Sequence, residues 1–270
     1  KSSDSESCPF LPATFSRTMT RFFERYAVRK IRRNFHAVHV DPSSMPTIKK
    51  IQDQTDPTIL LMNHPCWWDP ITIMFISGFY LRERTHSAPM EISQLRRFRI
   101  FRKVGLFGID PDHPETPAKM DAYIQEVFRL NPKALLWITP QGQFTDVRDK
   151  IRLRPGAAAL AARNPQASVF CVGMEYNFWQ DQKPELFLRF QPCLTEDLST
   201  SGWYRAMRRA MQENLDALSK LVVRRDASAF IQPLGQSRAK TSLLYDWLLR
   251  LRGQHGDIKI RQNSKEGSNK

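Results

Sequence analysis

Short apolar runs, each only five or six residues long and separated by helix-like stretches, set the strongest limit on what this chain can fold into. Thr58 to Met62, Ala134 to Thr139, Val169 to Met174 and Leu186 to Phe190 read as strands, and Phe35 to Val40 alternates in a strand-like way. Between them lie helix candidates: Ile71 to Tyr80, Ile92 to Lys103, Glu115 to Leu130, Ala157 to Arg163, Trp203 to Arg225 and Thr241 to Leu251. Pro42 to Pro46 reads as a turn. Strands alternating with helices predict an α/β fold with a mixed, largely parallel sheet flanked by helices. The chain divides into a polar tail over 1–12, a basic amphipathic N-terminal helix over 13–33, a main domain over 34–230, and a C-terminal helix with a polar tail over 231–270.

The helix over 13–33 carries two stripes. Phe15, Met19, Phe22 and Tyr26 recur at helical spacing, and Arg17, Arg21 and Arg25 follow the same spacing on the other side. Such a helix suits an interfacial membrane anchor; packing of the aromatic stripe on the core is the alternative. The net charge of +14 predicts attraction to polyanions, either nucleic acid or an anionic bilayer. No zinc-finger spacing or RNA-recognition motif is present, so a nucleic-acid partner is not expected. The longest charge-free apolar stretch, Pro70 to Leu81, is about 12 residues, short of the 18 or more that a spanning helix needs. Lys1 to Ser7 are polar and lack an apolar signal core. Membrane contact is therefore expected to be peripheral or monotopic, on the cytoplasmic side. Cys8, Cys66, Cys171 and Cys193 form no C-x-x-C pair, so neither a metal site nor a disulfide framework is expected.

The chemistry concentrates in Asn63-His64-Pro65-Cys66-Trp67-Trp68-Asp69-Pro70, directly after the first strong strand. On one continuous helix, residues five apart point roughly 140° away from each other. Pro65 biases His64 off helical geometry, and Asp69-Pro70 reads as a helix start. The pair can then meet across a turn. A histidine held by a carboxylate is a general base: His64 would take a hydroxyl proton, and Asp69 would fix the imidazole tautomer. A structural histidine and a plain N-cap aspartate are the other reading of the same spacing.

This stretch resembles the first signature block of the glycerolipid (lysophospholipid) acyltransferase family, whose hallmark is H-x-x-x-x-D. Gly105-Leu106-Phe107-Gly108-Ile109-Asp110 resembles the second block. Pro140-Gln141-Gly142 resembles the third, commonly P-E-G-T, and Arg154-Pro155-Gly156 the basic residue and glycine after it. Val169 to Met174 suits the strand of the fourth. The resemblance covers roughly residues 55–175. It implies an α/β acyltransferase domain, catalytic His64 and Asp69, and substrate contacts from Asn63, Trp67, Trp68, Gly105, Gln141, Gly142, Arg154 and Gly156. The implied reaction moves a fatty acyl group from acyl-CoA or acyl-carrier protein to a lipid hydroxyl at a membrane surface, as in phospholipid biosynthesis, without metal or cofactor.

Two departures bear on the acceptor. Where the family usually ends the second block with an Arg thought to bind phosphate, this chain has Pro111 between Asp110 and Asp112. The usual Glu of the third block is Gln141. Arg154 and the basic cluster over 96–103 can supply phosphate binding instead. Alternatively the acceptor lacks a phosphate, as a glycolipid, carotenoid glycoside or amino-lipid does, or the fold serves as a non-catalytic membrane module.

Overall fold

All five residues of Thr58–Met62 are buried, as a strand at the centre of a parallel sheet with helices on both faces requires. A computed structural model describes residues 9–235. Its strands are Phe10–Leu11 (β1), Val38–Val40 (β2), Thr58–Met62 (β3), Thr85–Glu91 (β4), Leu106–Ile109 (β5), Ala134–Ile138 (β6), Ser168–Asn177 (β7) and Glu185–Pro192 (β8). They form one eight-stranded sheet in the order β1-β5-β4-β6-β3-β7-β8-β2. β3 runs parallel to β6 and to β7, with Thr58 opposite Leu135 on one side and Ser168 on the other. β4 is parallel to both β5 and β6. β8 turns back antiparallel to β7, β2 lies parallel to β8, and β1 closes the far edge antiparallel to β5. The sheet is thus mixed and largely parallel.

Alternation along β3 sends its side chains to two cores. Leu60 and Met62 join the layer that holds Arg17–Asn34 (α1), Met45–Asp53 (α2) and Asp69–Phe79 (α3), through Ala27, Ile31, Ile48, Ile51 and Phe75. The short helix Ile92–Arg97 (α4) follows β4. Ile59 and Leu61 face the opposite layer, built by Thr116–Leu130 (α5), Gly156–Arg163 (α6) and Thr200–Val223 (α7).

The structure departs from the sequence reading in several places. Phe10 and Leu11, read as polar tail, form β1, and the Phe10 ring lies 5.8 Å from Phe107 and 5.1 Å from Tyr123. α1 begins at Arg17, because Thr14 and Ser16 donate their amides to Arg102 and Lys103 instead of starting the helix. The turn read over Pro42 to Pro46 tightens into a 3-10 turn and runs on as α2, since a proline in a helix's first turn loses no needed hydrogen bond. The helix read over Ile92 to Lys103 breaks at Phe98, whose ψ of 60° leaves helical space; a 3-10 turn over Arg99–Val104 follows. The helix read over Thr241 to Leu251 lies outside the described residues.

α1 splits the aromatic stripe read in the sequence, with Met19 packed against the core and Phe22 and Tyr26 outside it. Its buried residues are Thr20, Glu24, Ala27 and Ile31. Gly78 of α3 permits this, because a Cβ there would stand 2.6 Å from the Glu24 Cβ. Phe22 and Tyr26 are turned outward, 59% and 42% exposed.

Candidate active site

β3 delivers the site. Asn63, just past its end, is buried and locked to β7: its side-chain amide donates to the Met174 carbonyl at 2.8 Å and its Oδ1 accepts the Met174 amide at 2.8 Å. Pro65 disfavours helical geometry at His64, and α3 starts at Asp69 with Pro70 in its first turn. Asp69 is therefore the first helical residue, where the sequence reading had it as the cap. The turn between them folds the two side chains together, and His64 Nδ1 lies 2.6 Å from Asp69 Oδ2.

Asp69 is fully buried. Burying a carboxylate is tolerated only when donors surround it. Here Oδ2 also accepts the Cys66 amide at 3.3 Å, and Oδ1 accepts the Tyr176 phenol at 2.9 Å. A carboxylate only accepts, so the shared proton sits on Nδ1 and Nε2 is left as a bare acceptor. The His64 side chain is 24% exposed, and no described residue bonds Nε2. The Phe144 ring covers the imidazole at 4.4 Å.

The loop after β6 is tied to the histidine backbone at both ends. The His64 amide donates to Gln141 Oε1 at 2.9 Å, and the Thr145 amide donates to the His64 carbonyl at 2.9 Å. Gly142 sits in the left-handed region at φ 70°, and a Cβ there would stand 2.6 Å from Arg154 Nε. The Arg154 amide holds the same turn through the Pro140 carbonyl at 2.7 Å. Beside this loop opens a cleft of about 290 Å³ lined by Gln141, Gln143, Thr145, Asp149, Lys150 and Arg152.

The fold thus gathers Asn63, His64, Asp69, Gln141, Gly142 and Arg154. Trp67 stands beside the turn and is two-thirds exposed, while Trp68 packs against Phe35 at 4.9 Å. Gly156 opens α6 with free space where a Cβ would go. Gly105 has its contacts elsewhere: at φ 95° it ends the 3-10 turn, and a Cβ would strike the His86 carbonyl at 2.1 Å. Sequence reasoning missed Tyr176, Phe144 and Thr145. Strand alternation offered one signal, since Tyr176 lies two residues beyond Met174 and so shares its side of β7.

Two protonation states follow. Burial pushes the Cys66 thiol up, with the Asp69 charge adding to it, so Cys66 stays a thiol. Burial also lifts the Tyr176 phenol well above its usual value, again reinforced by Asp69, so Tyr176 remains a donor.

A histidine–carboxylate pair at the carboxyl end of a central parallel strand, beside an open cleft, sits where α/β folds place their functional sites. A family model described as acyltransferase matches residues 29–175, more than half of the chain and the whole span from α1's second half to Glu175. The chain belongs to the acyltransferase family, and its chemistry is acyl transfer from an acyl donor to a lipid acceptor. No curated protein matches the sequence.

Proposed function

We propose that the protein transfers a fatty acyl group from acyl-CoA or acyl-carrier protein to a hydroxyl of a lysophospholipid-like acceptor, with His64 as general base. The observation that carries this reading is the 2.6 Å contact between His64 Nδ1 and the buried Asp69, with the His64 side chain 24% exposed and its Nε2 bonded to no described residue. Nε2 takes the acceptor's hydroxyl proton while the oxygen attacks the thioester carbonyl. A C–O bond forms, the C–S bond breaks, and the departing sulfur recovers the proton from Nε2. Asp69 keeps Nδ1–H in place and stabilises the transient imidazolium. General base catalysis of this kind supplies roughly 10²- to 10⁴-fold in rate. The thioester is already activated, so the reading calls for no metal or cofactor.

Lys150 and Arg152 in the cleft lining, and Arg154 against Gly142 of the adjoining loop, favour an acceptor with a phosphate. A second reading rests on the rest of the cleft lining. Gln141, Gln143, Thr145 and Asp149 suit a polyhydroxy or amine head group, and Asp149 opposes a phosphate. A glycolipid, carotenoid glycoside or amino-lipid acceptor would use those groups.

The reading includes a peripheral station on the cytoplasmic face of a membrane. No helix among the described residues is long and apolar enough to cross one. Phe22 and Tyr26 of α1 are exposed beside Phe23, whose ring lies 6.0 Å from Phe101; Phe98 and Ile100 add two more exposed apolar groups there. Arg25, Arg29, Arg97 and Arg99 are exposed around them. Aromatic side chains ringed by arginine suit an anionic bilayer surface.

The test supplies purified protein with palmitoyl-CoA or palmitoyl-acyl-carrier protein and paired acceptors that differ only in carrying a phosphate or a sugar. Mass spectrometry of the lipids reads the product. Acylation of the phosphate member supports the first reading, and acylation of the sugar member the second. No product from either donor contradicts both.

A further inference from the structure

We infer that Tyr176, with Thr72 behind it, is a positioning residue of the reaction: its phenol holds the Asp69 carboxylate in the orientation that presents Oδ2 to His64. The inference rests on the His64–Asp69 reading and adds a third and fourth member to it from different elements of the fold.

Counting protons fixes the direction of the chain. Tyr176 OH lies 2.9 Å from Asp69 Oδ1 and 2.9 Å from Thr72 Oγ1. The phenol has one proton, and a carboxylate can only accept. The Tyr176 proton therefore goes to Asp69, and the Thr72 hydroxyl donates to the phenol oxygen. The order is Thr72 O–H to Tyr176 O–H to Asp69 Oδ1, with His64 Nδ1–H on Oδ2. Thr72 is fully buried one turn into α3, and Tyr176 comes from β7 across the sheet-to-helix boundary. The chain bonds the helix that carries Asp69 to the strand that Asn63 also grips.

Without Tyr176, Asp69 Oδ1 has only the Cys66 thiol, at 3.9 Å, and a thiol is a weak donor. A buried carboxylate with one oxygen unsatisfied turns toward other donors, and turning Asp69 removes the support of Nδ1–H. The phenol ring itself is held against Phe35, 5.9 Å between centroids, so a phenylalanine keeps the packing and loses only the hydroxyl.

The experiment compares wild type, Tyr176→Phe, Thr72→Val and the double variant in the acyl-transfer assay, with circular dichroism melts alongside. Tyr176→Phe is expected to lower kcat roughly 10- to 100-fold, the size of one hydrogen bond to a charged group. KM for both substrates should stay within twofold, because neither residue lines the cleft. Thr72→Val should lower kcat roughly 2- to 10-fold, as loss of a neutral hydrogen bond does. The double variant should match Tyr176→Phe, since Thr72 acts through the phenol. A kcat for Tyr176→Phe within twofold of wild type overturns the inference. So does a loss carried by KM, a double variant in which the two effects multiply, or a loss that tracks the unfolded fraction. His64→Ala, run in parallel, separates the two layers. If it keeps full activity, the dyad reading fails; if it is inactive while Tyr176→Phe is not impaired, only the positioning role fails.

Discussion

The stability of this fold should fall in mild acid through one histidine that takes no part in the chemistry. His86 of β4 is completely buried beside β6 and α3. Trp137 Nε1–H, which can only donate, points at His86 Nδ1 at 3.0 Å, and Ser77 Oγ lies 3.1 Å from the same nitrogen. Nδ1 is therefore the acceptor, and the Nε2 proton goes to the Leu81 carbonyl at 2.9 Å. A second proton has nowhere to go. Burial pulls the folded-state pKa down from the usual 6.5 to about 4, with nearby Arg84 working in the same direction. Below pH 6.5 the unfolded chain binds a proton that the folded chain refuses until about pH 4. Stability is full above 6.5 and declines as the pH falls through that window. The separation is worth about 3 kcal/mol in all, and about 2 kcal/mol at pH 5. Carboxylates titrate over the lower part of the same range, so the assay is a difference: urea unfolding of wild type and His86→Gln from pH 8 to pH 4. The gap between the two should be flat above pH 7 and then move by about 3 kcal/mol in favour of the variant. Two curves that stay parallel down to pH 4 would refute the reasoning.

Three further outcomes are expected. Gly142→Ala should shift the loop beside the dyad, because φ 70° strains an alanine and its Cβ would meet Arg154 Nε at 2.6 Å; activity should drop about tenfold or more, with the melting midpoint little changed. Asn63→Ala should lower stability by about 2–4 kcal/mol in urea titrations, since it strips both the amide and the carbonyl of Met174 of a buried partner. Replacing Phe22, Tyr26 and Phe98 together by serine should weaken cosedimentation with vesicles containing anionic phospholipid while leaving the far-ultraviolet spectrum intact, because all three side chains are exposed.

The sequence disclosed the fold where burial is uniform and concealed it where burial is polar. β3 and β6 are unbroken apolar runs, and the structure ends them within a residue of the expected positions. β4 reads Thr-His-Ser-Ala-Pro-Met-Glu and was not expected as a strand. His86 and Ser87 are buried in it, and His86 is satisfied by the network around Trp137 that only the folded chain assembles. α2 was hidden by two prolines whose usual meaning is a turn. The helical period of α1 was visible, but its facing was not. Glu24 rather than Phe22 turns inward because Gly78 leaves room on α3, a fact of tertiary contact. The two prolines made a His64–Asp69 contact feasible from sequence alone, whereas Gln141, Gly142 and Arg154 entered only through the family resemblance. Tyr176 was not legible, since nothing in local sequence says that β7 brings a phenol to the Asp69 carboxylate.

The most direct test of the account is the single-turnover rate of acyl transfer by wild type and His64→Ala at saturating acceptor. A fall of roughly 10²-fold or more in the variant, with an unchanged dichroism spectrum and unchanged vesicle binding, is what a histidine general base predicts. A variant that transfers at the wild-type rate would contradict it and leave the 2.6 Å contact as a structural link alone.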